Sequence, residues 1–161
     1  MEDTTSPVLE ELLSGKILLY NDLLRCFMKE RESLINIDLD KLWSISKEKE
    51  EICAEIRSVN RELMAQIDPD MNEEYLNFSE IIRLIPQEEK GKFQGFRRTL
   101  MTLESEIEAL KKENMMYIDD SLRFLDDMIS IITGEGKARI VYNDRCHLQK
   151  SGTNTILSRE A

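Results

Sequence analysis

The residues that could do chemistry are few in this chain and badly spaced for it. His147 is the only histidine and lies in the tail, which removes a di-iron site built from Glu-x-x-His pairs on core-facing helix positions and a Ser-His-Asp relay in any ordered form. Cys26, Cys53 and Cys146 are far apart and form no CxxC pair, and Cys146-His147 lacks two further ligands at zinc spacing. Asp119, Asp120, Asp126 and Asp127 resemble a metal-binding carboxylate cluster. Arg123, however, stands four residues after the first and four before the last, which is the spacing of ion pairs on a solvated helix face. Gly91 and Gly95 sit inside a helical pattern, not in a loop that could cradle phosphate. No catalytic residue, metal ligand or cofactor site is expected, and the chain reads as one that works by binding other proteins.

Helices must position whatever surface does that binding. Charged residues make up 34% of the 161 and apolar residues 41%, with only 6 Gly and 3 Pro; high charge with little punctuation marks long, solvated helices. The net charge is −10. The stretch 134–161 carries five basic and three acidic residues, a net of +2, which leaves −12 on the rest. Such an acidic body repels nucleic acid and anionic lipid, since phosphate binding needs clustered Lys and Arg. The acidic start, MEDTTSPVLEE, has no basic segment followed by an apolar one, and the apolar runs are too short to cross a bilayer. With unpaired, odd-numbered cysteines, a reducing cytoplasm is the expected compartment.

Ser6-Pro7 suits the opening of a first helix that runs to about Arg31. Asn36-Ile37-Asp38 reads as a short joint with Asp38 able to cap a second helix to Gln66, although no Gly or Pro rules out one continuous helix. In the second helix Leu42, Ile45, Lys49, Ile52, Ile56, Val59 and Leu63 alternate steps of three and four, a heptad seam that Leu39 and Trp43 widen at its start. Ser79–Ile85 could form a short amphipathic turn or two. Pro86 with Gln87-Glu88-Glu89 then starts a long helix to Thr133, stopped by Gly134-Glu135-Gly136. Its seam runs without a slip from Phe93 through Leu100, Ile107, Asn114, Tyr117 and Phe124 to Ile131. Asn114 is the polar member, of the kind that fixes register. The expected fold is all-α: an elongated antiparallel bundle of three long helices with a short connecting helix over 1–133, and a flexible tail over 134–161.

Late in the long helix a second stripe appears: Met115, Ile118, Leu122, Leu125, Ile129 and Ile132. It lies roughly 100° around from the seam. Helices of about 29 and 47 residues span roughly 43 and 70 Å at 1.5 Å per residue. Paired antiparallel, the shorter runs out near Ile118 and leaves this stripe as an overhang, a handle for an amphipathic partner helix with methionines to adapt it. The other reading keeps the stripe as core against the first helix. Both stay open from sequence.

Several stretches together resemble the FlgN family of flagellar export chaperones: ESLINIDLDKLWSISKEKEEICAEIRSVNREL, SEIIRLIPQEEKGKF, ENMMYIDDSLRFLDDMISII and ARIVYNDRCHLQKSGTNTILSREA. The resemblance implies a chaperone that holds the C-terminal helical segment of hook–filament junction proteins on Met115, Ile118, Leu122, Leu125, Ile129 and Ile132. It further implies that Tyr142 contacts the export gate, although Arg145-Cys146 stand where the family often has a glycine. The export ATPase is a further candidate partner and a weak homodimer is allowed; nucleic acid and membrane insertion are not expected. A self-associating coiled-coil adaptor is the alternative.

Overall fold

The computed structural model describes residues 5–67, 77–134, 140–142 and 148–150. The expected all-α class holds for four helices: α1, Thr5–Ile35; α2, Leu39–Ile67; α3, Phe78–Leu84; and α4, Lys90–Thr133. Two three-residue strands, β1 (Ile140–Tyr142) and β2 (Leu148–Lys150), pair antiparallel with Tyr142 opposite Leu148. The all-helical expectation passed over this hairpin, although the β-branched and aromatic run Ile140-Val141-Tyr142 favours extended backbone. By its internal contacts the chain divides into two units, Met1–Tyr117 and Ile118–Ala161.

The helix ends follow local chemistry. α1 begins at Thr5, so Ser6 is not its cap; the buried Ser6 hydroxyl instead donates to the Glu89 carboxylate. Pro7 falls in the first turn, where its missing N–H costs nothing. α1 continues one turn beyond Arg31 and then stops. Asp38 N–H donates to Ser33 O at 2.9 Å and Ile37 N–H to Leu34 O at 3.3 Å, the bond pair of a Schellman termination. This places Ile37 in left-handed backbone, φ 55°, at about 1–2 kcal/mol for a residue with a Cβ. Asp38 caps α2: its Oδ1 accepts from Lys41 N–H at 3.1 Å, which holds its carboxyl below the ordinary range, and its carbonyl accepts from Leu42 N–H at 3.0 Å. The joint is therefore a true break.

Asn77 caps α3 by accepting from Ser79 N–H at 3.0 Å. α4 begins later than Pro86-Gln87 suggests. Glu89 N–H bonds back to Pro86 O at 3.0 Å, closing a turn over Gln87–Glu89, and only then does the Glu89 carbonyl accept from Lys92 N–H at 2.9 Å.

Two apolar clusters make the core of the first unit. Leu9 and Leu13 of α1 join Leu63 of α2, Ile81 of α3, Ile85, and Phe93 and Leu100 of α4. Leu23, Leu24 and Cys26 of α1 join Ile45, Ile52 and Ile56 of α2 and Leu103 and Ile107 of α4. These are the seam positions, so heptad spacing correctly selected the buried faces. Leu39 and Trp43 do not widen that face, since both are exposed. At 100° per residue they point about 120° and 160° away from Ile45. The buried Lys16 lies 5.4 Å from the Tyr20 ring centroid. Burial pulls its ammonium below the ordinary range, opposed by Glu104, whose carboxylate accepts from the Tyr20 hydroxyl at 3.2 Å.

Ile37 supplies the first test. Its side chain is 78% exposed, so Ile37→Gly removes strain without emptying the core. The variant should be more stable by about 1 kcal/mol, read as a higher urea midpoint with an unchanged slope. An unchanged or lower midpoint would contradict the geometry of the joint.

Candidate functional site

In the first unit, the α4 seam ends in a polar node. Asn114 is 2% exposed. Its Nδ2 donates to the Phe27 carbonyl at 3.0 Å and to Glu30 Oε2 at 2.9 Å, both on α1. Glu30 also pairs with Lys49 of α2, whose ammonium sits 4.5 Å from the Phe27 ring centroid. One chain of charge-assisted contacts thus ties α4, α1 and α2 at a single level, with Arg31–Glu113 pairing beside it. Asn114 Oδ1 is buried without a partner, a cost that an apolar residue would not incur. Sequence reading found Asn114 but missed Glu30. The signal available was a second polar residue, Lys49, interrupting the facing seam.

After Asn114 no apolar residue of α4 is buried. Met115 and Met116, still in the first unit, are each more than half exposed. In the second unit Ile118, Leu122, Leu125, Ile129 and Ile132 of the second stripe are exposed, as are Phe124, Met128 and Ile131 of the continuing seam. These eight side chains range from 36% to 78% exposed. Together they present on the order of 700–900 Å² of apolar surface, above the ~300–600 Å² of the largest patch on a typical monomer. Among the described residues no side chain of the stripe is buried.

Helical geometry gives the patch its shape. At 100° per residue the eight apolar positions fill an arc of about 200°. The rest of the circumference carries Asp119, Asp120, Arg123, Asp126 and Asp127, all exposed. Among the described residues no ion pair joins Arg123 to Asp119 or Asp127. Exposed pairs at this spacing gain only a few tenths of a kcal/mol against side-chain entropy, so the expected pairing does not hold the rotamers. No group of three His, Cys, Asp or Glu among the described residues could hold a metal ion.

Other surfaces are less suited. A cleft of about 310 Å³ between the end of α1 and the start of α2 is lined by charges of both signs, including Lys29 and Glu48, 3.7 Å apart. Ile35, Ile37, Leu39 and Trp43 are exposed around the same joint, a smaller apolar set of which sequence reading had assigned Leu39 and Trp43 to the seam. Tyr142 is described by its backbone alone, as the last residue of β1. Cys146 and His147 lie outside the described residues. No helix among the described residues is long and apolar enough to cross a membrane.

No curated protein and no solved structure matches the chain. The FlgN protein family matches it over residues 1–149, which takes in all four helices and β1. That span includes the polar node and the exposed apolar arc alike. The chain therefore belongs to the FlgN family, a family of flagellar export chaperones and not of enzymes.

Proposed function

We propose that this chaperone works in the cytoplasm, holding the C-terminal helical region of hook–filament junction proteins against the late part of α4 until it reaches the export gate. The observation that carries the reading is the arc of large apolar side chains left exposed over residues 118–132. A surface of that size is costly to leave in water and suits an amphipathic helix whose anchors recur at successive turns. Ile118, Leu122, Leu125, Ile129 and Ile132 form the centre of the cargo site, with Met115 extending it and Met128 adapting it to more than one sequence. Covering the cargo's apolar helix would block premature assembly, while the acidic body keeps the complex soluble. Tyr142 is the residue we assign to the export gate, and the export ATPase is a further partner of the same delivery step.

In this reading α1, α2 and α4 form an antiparallel three-helix bundle whose register Asn114 fixes. A buried amide with one unpartnered oxygen makes sense as a device of specificity, since a slipped register would also strand Glu30 and Lys49. The rival reading is a coiled coil that covers the same arc by self-association.

Light scattering of the purified chain, alone and mixed with a junction protein, separates the two. The chaperone reading predicts a discrete complex of higher mass. Leu122→Glu with Leu125→Glu should weaken binding on the order of 100-fold or more, with the thermal midpoint of the chain unchanged. A tight homodimer indifferent to the junction protein would establish the rival instead. For the register, Asn114→Ala should lower stability by about 1–3 kcal/mol, because the Phe27 carbonyl and Glu30 lose a buried donor. Asn114→Leu should keep more of the stability yet show doubled amide resonances from alternative registers; a single set of resonances would count against the register role.

A further inference from the structure

We infer that the occupant of the late α4 face supplies two helices, with α4 inserted between them; this rests on the cargo reading above and states what the cargo must bring. The exposed apolar side chains fall into two rows, the second stripe and the continuing seam, whose directions differ by about 110°. At the outer edges of the arc stand two pairs, Leu122 with Ile129 and Phe124 with Ile131. The members of each pair are seven residues apart, two turns or about 10 Å along the axis. At 100° per residue the two pairs lie about 160° from one another, on nearly opposite sides of the helix. In that order the four side chains are 55%, 57%, 64% and 77% exposed.

A single partner helix cannot reach both edges. Packed helices lie about 8–10 Å apart and meet through a strip roughly 100° wide. Seated on the second stripe, one helix leaves Phe124 and Ile131 in water; seated on the seam, it leaves Leu122 and Ile129. Seated midway, over Ser121, it leaves the outer parts of both pairs. Each placement forgoes apolar burial that the arc offers. A second copy of the same face does no better, since it brings one α4 and leaves an edge of each copy bare. Two helices about 100° apart around α4, with axes roughly 15 Å from one another, cover the whole arc. A third has no place, because the remaining face carries the exposed Asp119, Arg123 and Asp126, whose charges resist burial. The partner is therefore a helical hairpin with apolar walls, open along one side, between whose arms α4 inserts.

Calorimetric titration of the full chain with an intact hook–filament junction protein tests this, on the unmodified chain and on one double variant for each edge. One junction protein per chain is expected. Leu122→Glu with Ile129→Glu, and separately Phe124→Glu with Ile131→Glu, should each weaken binding about 30-fold or more, with the thermal midpoint of the chain unchanged. A one-helix occupant spares at least one edge. A loss under about threefold in either variant would therefore overturn the inference, while binding by the unmodified chain keeps the cargo reading. Two junction proteins per chain would overturn it as well, each supplying one helix. Absence of binding by the unmodified chain would overturn both readings. Should either variant not fold, the methyl resonances of Ile129 and Ile131 in the unmodified chain decide, since these residues stand at opposite edges. Both should shift at saturation, and one left unmoved would overturn the inference.

Discussion

The structure turns on one buried amide. Asn114 closes the seam of α4 by bonding to the last turns of α1, and through Glu30 it reaches Lys49 of α2. Below that level α4 contributes Phe93, Leu100, Leu103 and Ile107 to two apolar clusters. After it, every large apolar side chain of the helix is exposed. A polar group at this position gives up stability relative to leucine, because its Oδ1 is desolvated without a partner. What it gains is a defined end to the core. In the proposed reading the helices dock only where amide, carboxylate and ammonium all find one another, which would leave the apolar residues that follow uncovered.

The division of labour along α4 follows from this. Its first half is specified by packing, where a wrong side chain costs several kcal/mol. Its second half is helical with no apolar side chain buried, and good helix formers alone rarely hold so long a stretch without packing. Binding of a partner helix there would add the missing contacts, so recognition and local ordering are coupled. A chaperone that must hold an apolar segment and later release it would be well served by a face of this kind, since in the proposed reading the affinity would lie in one accessible arc instead of a deep core.

Much of this was legible in the residues. Three-and-four spacing identified Ile45, Ile52, Ile56, Leu63, Phe93, Leu100, Leu103 and Ile107 as core, because periodicity reports which face is apolar whatever the partner. Asp38 was recognisable as a cap because its chemistry is local. The second stripe was visible too, but spacing alone cannot say whether an apolar face is covered. Other errors have the same root: Leu39 and Trp43 were credited to a seam they point away from, and Gln87–Glu89 were taken into α4 when a backbone bond to Pro86 holds them in a turn. Glu30 was missed because its role comes from two residues distant in sequence, with Lys49 in the facing seam as the one hint. The hairpin of Ile140–Tyr142 with Leu148–Lys150 was missed because three-residue strands carry almost no periodic signal.

Hydrogen–deuterium exchange of the full chain, with and without the C-terminal helical segment of a hook–filament junction protein, tests the central claim most directly. The account predicts that amides of residues 118–132 exchange fastest within α4 in the free chain and become strongly protected on binding, with little change over Phe93–Ile107. Protection confined to the joint around Ile35–Trp43, or no protection over 118–132 at saturating segment, would contradict it.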